Sequence, residues 1–391
     1  MRADVRICEN ISAYYTGGGI NYAVQTPAGV LYNVFVDSFA DVLFCKSSDG
    51  GLTWTEPVTV FAGSATALAV WYDKWSGLAG GLIHMAYIES GTDDTLYRTI
   101  NTESSDALST QTVIFLGGTT ATGGALSICR ARGGNVYCAT MIDAGAEGGF
   151  FRLPNANVPN GAWDAARTTV WEAVTQDQCI LVPGWAADNQ DIMAFFWDAS
   201  ASEVSRKLYD DSANSWAETS IATGMTANAA TTAFPHFAAA VDIANSQNLL
   251  IAWSNVDTLN ADLRAWKVTE SAITALTDVV TNSTDDQGLA ALGIDTNSGD
   301  LYAFYAGKTD GSETWQTSVN VYMKVSTDDG ATWGAETLVT LIPRNIRHIE
   351  TAPRFTGRVP LFAYHVTATA EDYQLAIVML PTARAHHQIG M

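Results

Sequence analysis

The sequence predicts an all-β fold, a seven-bladed β-propeller of four-stranded antiparallel blades forming a single domain over residues 1–391, on three observations. One apolar strand pattern recurs about every 55 residues, turn formers separate the strands, and no long stretch carries helical periodicity. The recurring strand begins at Gly29, Gly81, Asn135, Gln190, Gln247, Gly299 and Gly357, reading GVLYNVFVD, GLIHMAYIE, NVYCATMID, QDIMAFFWD, QNLLIAWSN, GDLYAFYAG and GRVPLFAYH. Each is preceded by a second apolar run, such as TALAVWYD or CILVPGWA, and followed by an alternating one, such as DVLFCKS or DTLYRTI. A shorter fourth run, such as PVTVF or TVIFL, closes most units, with Gly, Asn, Asp and Ser between runs as turn formers. Four short strands per unit, arranged radially, leave few open sheet edges. The blades are expected to start near 20, 65, 125, 178, 234, 287 and 346. The last copy ends after three strands, so residues 3–12, around ADVRICENIS, are expected to supply its fourth and close the ring.

Composition narrows the function. Hydrophobic residues make up 47% and charged residues 16%, enough apolar material for a large core and too little charge for general disorder. The net charge of −21 repels phosphate backbones and anionic lipid, which argues against nucleic-acid or membrane-surface partners. No apolar run is long enough to span a membrane, and MRADVRICENISAYY is too charged for a secretory signal peptide. The expected location is therefore a virion or the cytoplasm, with the extracellular space reached only by a signal-independent route. Cys8, Cys45, Cys129, Cys138 and Cys179 are odd in number and lack a CxxC pair, fitting neither a disulfide framework nor a zinc site and reading as buried thiols.

Two turns between third and fourth strands share the pattern S-x-D-x-G-x-T-W. They are Ser47, Asp49, Gly51, Thr53, Trp54 and Ser326, Asp328, Gly330, Thr332, Trp333. The chemistry suits a tight hairpin: Asp and Ser accept from nearby amides, Gly permits positive φ, and Trp packs on a neighbouring blade. Eroded forms stand at Asn160, Gly161, Trp163 and at Asp210, Asp211, Trp216. On these residues the sequence resembles the Asp-box (BNR-repeat) sialidase-like propeller superfamily, and the repeat pattern covers the whole chain. The resemblance implies that these turns are structural and lie on the face opposite a site.

It also implies what a sialidase would require: an arginine triad, a Tyr nucleophile paired with Glu, and an Asp acid/base. Arg152-Leu153-Pro154 is the nearest match to the family's Arg-Ile-Pro motif, but Arg152 aligns with Arg98, Arg206 and Lys324 on one outer strand, which reads as an inter-blade or solvated position. Arg344 and Arg347, in the connection into the last inner strand, are the candidates for gripping an anion, with salt bridging as the alternative. The ends of the second strands align Asp37, Glu89, Asp143, Asp198, Asn255, Gly307 and His365 on the upper face. That acidic rim suits a sugar's hydroxyls, a basic partner or a Ca²⁺ ion, and it disfavours an anionic sugar. No other cofactor is expected. His84 reads as a residue within an apolar strand.

The expected function is a non-catalytic propeller scaffold, a binding or assembly module that meets a glycan or protein through its upper face or side. A virion component, phage-tail or capsid-associated, is the narrower expectation. The alternative is a sialidase-like exo-glycoside hydrolase, with Arg344 and Arg347 on an anionic group and Asp37 or Asp143 as acid/base.

Overall fold

A computed structural model describes residues 5–9, 21–37, 39–117, 126–143, 147–165, 168–172, 178–198, 200–226, 236–254, 262–281, 288–310, 312–313, 320–340, 346–365 and 373–379. Six blades are each built from one continuous stretch of chain, with strands running in order from an inner to an outer position. Blade one comprises Asn21–Gln25, Leu31–Val36, Val42–Ser47 and Val58–Phe61. Blade two comprises Ala65–Tyr72, Leu82–Glu89, Thr95–Asn101 and Thr112–Phe115, with the short strand Ala107–Leu108 added to its third strand. Blade three comprises Ser127–Arg130, Val136–Asp143, Glu147–Leu153 and Thr168–Glu172. Blade four follows with Gln178–Pro183, Ile192–Asp198, Glu203–Asp210 and Ser215–Thr223, and blade five with Phe237–Asp242, Gln247–Ser254, Asp262–Val268 and Ile273–Ala275. Blade six comprises Gly288–Asp295, Leu301–Ala306, Val321–Ser326 and Thr337–Leu338.

A further sheet, made from both ends of the chain, closes the ring. Its strands are Ile346–Thr351, Val359–His365 and Tyr373–Met379, with Val5–Glu9 paired antiparallel on the outside. The inner strand of this sheet packs against those of blades six and one.

This arrangement corrects the expectation of seven equivalent four-stranded antiparallel blades. Six blades, not seven, are continuous in the chain, and the closing sheet is a composite. Blade two and blade six have five strands each. In blade six the fifth is Arg354–Phe355, which leaves the last repeat and pairs parallel with the inner strand, Ile294 opposite Arg354. The physical reason lies in the longer hairpin of the last repeat. The segment between Thr351 and Val359 is long enough to cross to blade six, where Ile294 N donates to Pro353 O at 3.2 Å and Thr296 N to Phe355 O at 2.8 Å. The same hairpin reaches the other way: Thr356 N donates to Gln25 Oε1 at 2.6 Å, and Gln25 Nε2 to Arg358 O at 3.2 Å.

Inner and second strands are covered on both faces, which is why they read as unbroken apolar runs; Gln247–Ser254 and Gly288–Asp295 are buried throughout. Outer strands are half solvated and alternate, as in Ser215–Thr223.

Two kinds of contact repeat between blades on the lower side, where third and fourth strands meet. A basic residue of the third strand reaches forward. Lys46 pairs with Asp106 of blade two, Arg152 with Asp211 of blade four at 2.8 Å, and Lys267 with Asp329 of blade six at 3.0 Å. Arg206 does the same through backbone, donating to Thr269 O of blade five at 2.7 Å. A tryptophan of the turn reaches back. Trp54 meets Phe362 of the closing sheet edge-on at 5.6 Å, Trp163 meets Tyr97 at 5.2 Å and Trp216 meets Phe150 at 4.9 Å, while Trp333 Nε1 donates to Thr277 O at 2.9 Å.

The two S-x-D-x-G-x-T-W turns fold alike. Ser47 Oγ donates to Asp49 Oδ1 and accepts from Gly51 N, both at 2.8 Å, while Thr53 donates to Asp49 through N at 3.0 Å and through Oγ1 at 2.6 Å. Ser326, Asp328, Gly330 and Thr332 repeat this set, and Gly51 and Gly330 take φ of 86° and 83°, which a side chain would resist.

Phe150 is fully buried where Tyr137, Tyr209 and Trp216 meet between blades three and four. Phe150→Ala should cost about 3–5 kcal/mol through lost burial and a residual cavity. Denaturant unfolding with an unchanged m-value is the check, and a loss below about 1 kcal/mol would refute the assignment.

Candidate functional site

Second-to-third and outer-to-inner connections lie on the upper face, opposite the S-x-D-x-G-x-T-W turns. The most fully described part of that face belongs to blades one and two. Asp37, just past the second strand of blade one, accepts from Phe39 N and Asp41 N through one oxygen, both at 2.9 Å. Ala40 adopts φ of 61° to complete the turn. Burial raises the Asp37 carboxyl pKa above its ordinary value, against those two amide donors, with Asp41 adding to the rise. Asp41 in turn accepts from Gly63 N at 2.9 Å, and Ala65 N donates to Ala40 O at 2.8 Å. The loop is thus tied to the connection into blade two, and it presents Phe39 to solvent at 80% exposure.

The surface continues through Ser90 N, which donates to Ser64 O at 2.8 Å, to Glu89, whose carboxylate accepts from Thr92 Oγ1 at 3.1 Å. Asp94 accepts from Gly117 N at 2.6 Å, beside Leu116 at 69% exposure. On this face blades one and two therefore present Phe39 and Leu116 to solvent among the carboxylates of Asp41, Glu89 and Asp94.

Asp198 holds its own turn in the same manner, accepting from Ser200 Oγ at 2.7 Å and Ala201 N at 2.8 Å. Asp143 pairs in register with Glu147 and His365 with Tyr373, but their side chains lie outside the described residues, as does that of Arg347. Arg344 and Asn255 lie outside them altogether. Among the described residues no group of three or more His, Cys, Asp or Glu side chains is placed to hold a metal ion.

Arg98, Arg152, Arg206 and Lys324 all reach across blade boundaries. Arg98 donates to Val60 O and Lys324 to Val279 O, the latter at 2.8 Å, beside the forward contacts of Arg152 and Arg206. Arg358 lies against the first turn, so close to Gly50 that a Cβ there would meet its guanidinium.

The lower end of the axis is crossed by chain. The 3-10 turn Asp73–Ser76 of blade two is followed by Gly77, at φ 77°, where an added Cβ would stand 3.0 Å from Ile243 of blade five. Arg354, from the far side of the ring, donates to Lys74 O at 2.8 Å.

Behind that turn lies a buried network on residues that the sequence left unremarkable. His84 Nε2 is 2.9 Å from Asp73 Oδ1 and Nδ1 is 2.7 Å from Tyr97 Oη, and Arg130 of blade three donates to Asp73 at 2.6 Å. Asp73, His84 and Tyr97 have no exposed surface. Burial lowers the His84 pKa below its ordinary 6.5, and hydrogen bonding to Asp73 only partly offsets this. Burial pushes Asp73 up, but His84 and Arg130 outweigh it and bring the carboxyl from 3.8 to about 2. A neutral imidazole donating to Asp73 and accepting from Tyr97 satisfies all three groups. An ionisable residue inside an otherwise apolar strand was the available signal.

Inside the ring, Glu350 on the inner strand of the closing sheet has 24% of its side chain exposed, and its Oε2 is 4.0 Å from His348 Nε2. Burial raises its pKa from 4.5 to about 8, and only the Thr351 amide opposes the rise.

No protein-family model matches the chain, and no curated protein matches it. Among solved structures it is similar to a polysaccharide lyase of family PL25, an ulvan lyase bound to a GlcA-Rha3S saccharide, with a TM-score of 0.56 and 11% identity over 96% of this chain and 97% of that one. It is also similar to the hydrazine synthase of Kuenenia stuttgartiensis, with a TM-score of 0.54 and 9% identity over 95% and 97%. The NanB sialidase of Streptococcus pneumoniae aligns with a TM-score of 0.48 and 10% identity over 97% of this chain and 71% of that one. The β-propeller fold expected from the sequence repeats is thus found in the structure, and at these identities the likeness is one of fold alone.

His84 and Asp73 both bind protons more weakly folded than unfolded. Their stabilisation is therefore full above about pH 6.5 and is lost on acidification, through His84 first and through Asp73 between 3.8 and about 2. Glu350 acts oppositely, its cost growing from pH 4.5 to about 8. Melting temperatures of wild type and His84→Gln across pH 4–8 isolate the histidine: the variant should lose less stability below 6.5, and parallel curves would contradict the network.

Proposed function

We propose that the protein is a carbohydrate-binding propeller that meets a neutral glycan on the upper face of blades one and two. The observation that carries this reading is Phe39, an aromatic ring held 80% exposed by a turn in which one oxygen of Asp37 accepts from the amides of Phe39 and Asp41. A rigid apolar ring stacks on the C–H face of a sugar, and the carboxylates of Asp41, Glu89 and Asp94 beside it accept from sugar hydroxyls. The charge of −21 favours a neutral sugar over an anionic one. The ulvan lyase, similar in fold, is described with a bound saccharide, which supports a glycan as partner, although that saccharide is anionic and the preference for a neutral sugar rests on the charge of this chain alone.

Binding without turnover is the reading adopted; Asp37 and Asp198 each commit one carboxylate oxygen to their own loops. No observation on the described residues bears on the narrower expectation of a virion component.

A glycan array should register neutral oligosaccharides over sialylated ones, and Phe39→Ala should weaken the best ligand about tenfold, in keeping with the loss of one stacking platform. Equal binding by Phe39→Ala would remove the platform, and hydrolysis of an aryl glycoside above background would replace binding with catalysis.

A further inference from the structure

The outermost strands of the ring differ in length. Those of blades one, two, three, five and six run for four, four, five, three and two residues, and the strand that ends the closing sheet runs for five. Ser215–Thr223, on blade four, runs for nine. It ends its sheet and pairs only with Glu203–Asp210, so the backbone N–H and C=O groups along its other side have no strand to meet among the described residues. Ser215, Ala217, Glu218, Thr219, Ser220 and Thr223 are all exposed.

A free edge is protected from pairing by brevity, by Lys or Pro, or by a bulge. The other outer strands are short, whereas SWAETSIAT is long and contains neither Lys nor Pro. A shift of register between Val204 and Ser205 leaves Ile221 unpaired and bulges the upper end. Below it, Ser215 to Ser220 pair residue for residue with Asp210 back to Ser205, a regular extended edge six residues long.

Charge decides what fits there. Glu218, the one charged residue of the strand, accepts from Ser205 Oγ at 2.7 Å, and its other oxygen lies 3.5 Å from Lys207 Nζ. At the lower end Asp210 accepts from Ser212 Oγ and Ala213 N, and Asp211 is held by Arg152. A basic segment laid along Ser215–Ser220 would meet only carboxylates that already have donors, so an uncharged strand complements this edge. The chain carries one of matching length, the strand itself. Antiparallel pairing of two copies about a two-fold axis through Ala217 sets Ser215 opposite Thr219 and Trp216 opposite Glu218, so the one charge never faces its twin. We infer that the outer strand of blade four joins two copies of this chain, edge to edge, into one continuous sheet with four strands from each. Strand pairing alone buries less than about 1,200 Å², so the association is weak and concentration-dependent. This edge is separate from the upper-face glycan surface and stands or falls independently of it.

Sedimentation equilibrium of the intact protein from about 1 to about 200 µM tests the assignment, and the average mass should rise from one chain towards two. Two copies each carrying −21 repel at long range, so raising the salt should tighten the dimer, whereas pairing through complementary charges would loosen. Ala217→Lys sets like charges face to face at the two-fold axis and should stay a single chain throughout, with an unchanged melting temperature. Residues directly opposed across an antiparallel pair have Cα atoms about 4.5–5.5 Å apart, within disulfide reach, so Ala217→Cys should cross-link to a dimer under mild oxidation where wild type does not. A wild type that stays a single chain at the highest concentration would overturn the proposal. So would a dimer that persists in Ala217→Lys, which would belong to another surface, or one that salt loosens. Should Ala217→Lys fail to fold, the Ala217→Cys cross-link decides, and its absence counts against the pairing.

Discussion

A ring of sheets has no independent core in each blade; every blade is finished by the two beside it. The contacts that enforce this sit at the lower turns, where a basic side chain reaches forward and a tryptophan reaches back. Lys46, Arg152 and Lys267 find carboxylates one blade ahead, and Trp54, Trp163 and Trp216 find rings one blade behind. Each contact is ordinary in strength, since partly exposed ion pairs contribute about 0–1 kcal/mol. Their effect is geometric: they fix the angle between neighbours, so that inner strands meet around the axis and bury apolar surface that no single blade could cover.

The last repeat carries the burden of closure. Its hairpin gives Arg354–Phe355 to blade six and receives a hydrogen bond from Gln25 of blade one, so both seams run through the same few residues. An extended hairpin could not satisfy both neighbours while keeping the tight form found in blade five, where Asp242 pairs directly with Gln247. Departure from the repeat is the consequence of joining two ends.

Buried ionisable groups are handled in two ways. Asp73 is surrounded by His84, Arg130 and the Leu82 amide, and its charge is kept because both carboxylate oxygens have donors. Glu350 has only a backbone amide and a distant imidazole, and it keeps its proton instead. The first pattern locks two blades together.

The period of about 55 residues, the strand alternation and the two S-x-D-x-G-x-T-W turns were enough to place the ring of sheets and its upper and lower faces, because these depend on local alternation and on turn chemistry. The same local signals gave the N-terminal strand to the closing sheet, where Val5–Glu9 is found, but they counted that sheet as a seventh like the others. The parallel pairing of Arg354–Phe355 with Ile294 and Asp295 spans about sixty residues and leaves no mark in either segment. Nor could they single out the candidate sites. Phe39 looks like any loop residue until Asp37 and Asp41 are seen to hold it outward, and His84 looks like any strand residue until Asp73 and Tyr97 are found against it. Sequence by itself determined the repeating unit and its faces, since these follow from residue order. Only the tertiary structure decided which side chains meet and which are left facing open space, since that depends on burial and distance between segments far apart in the chain.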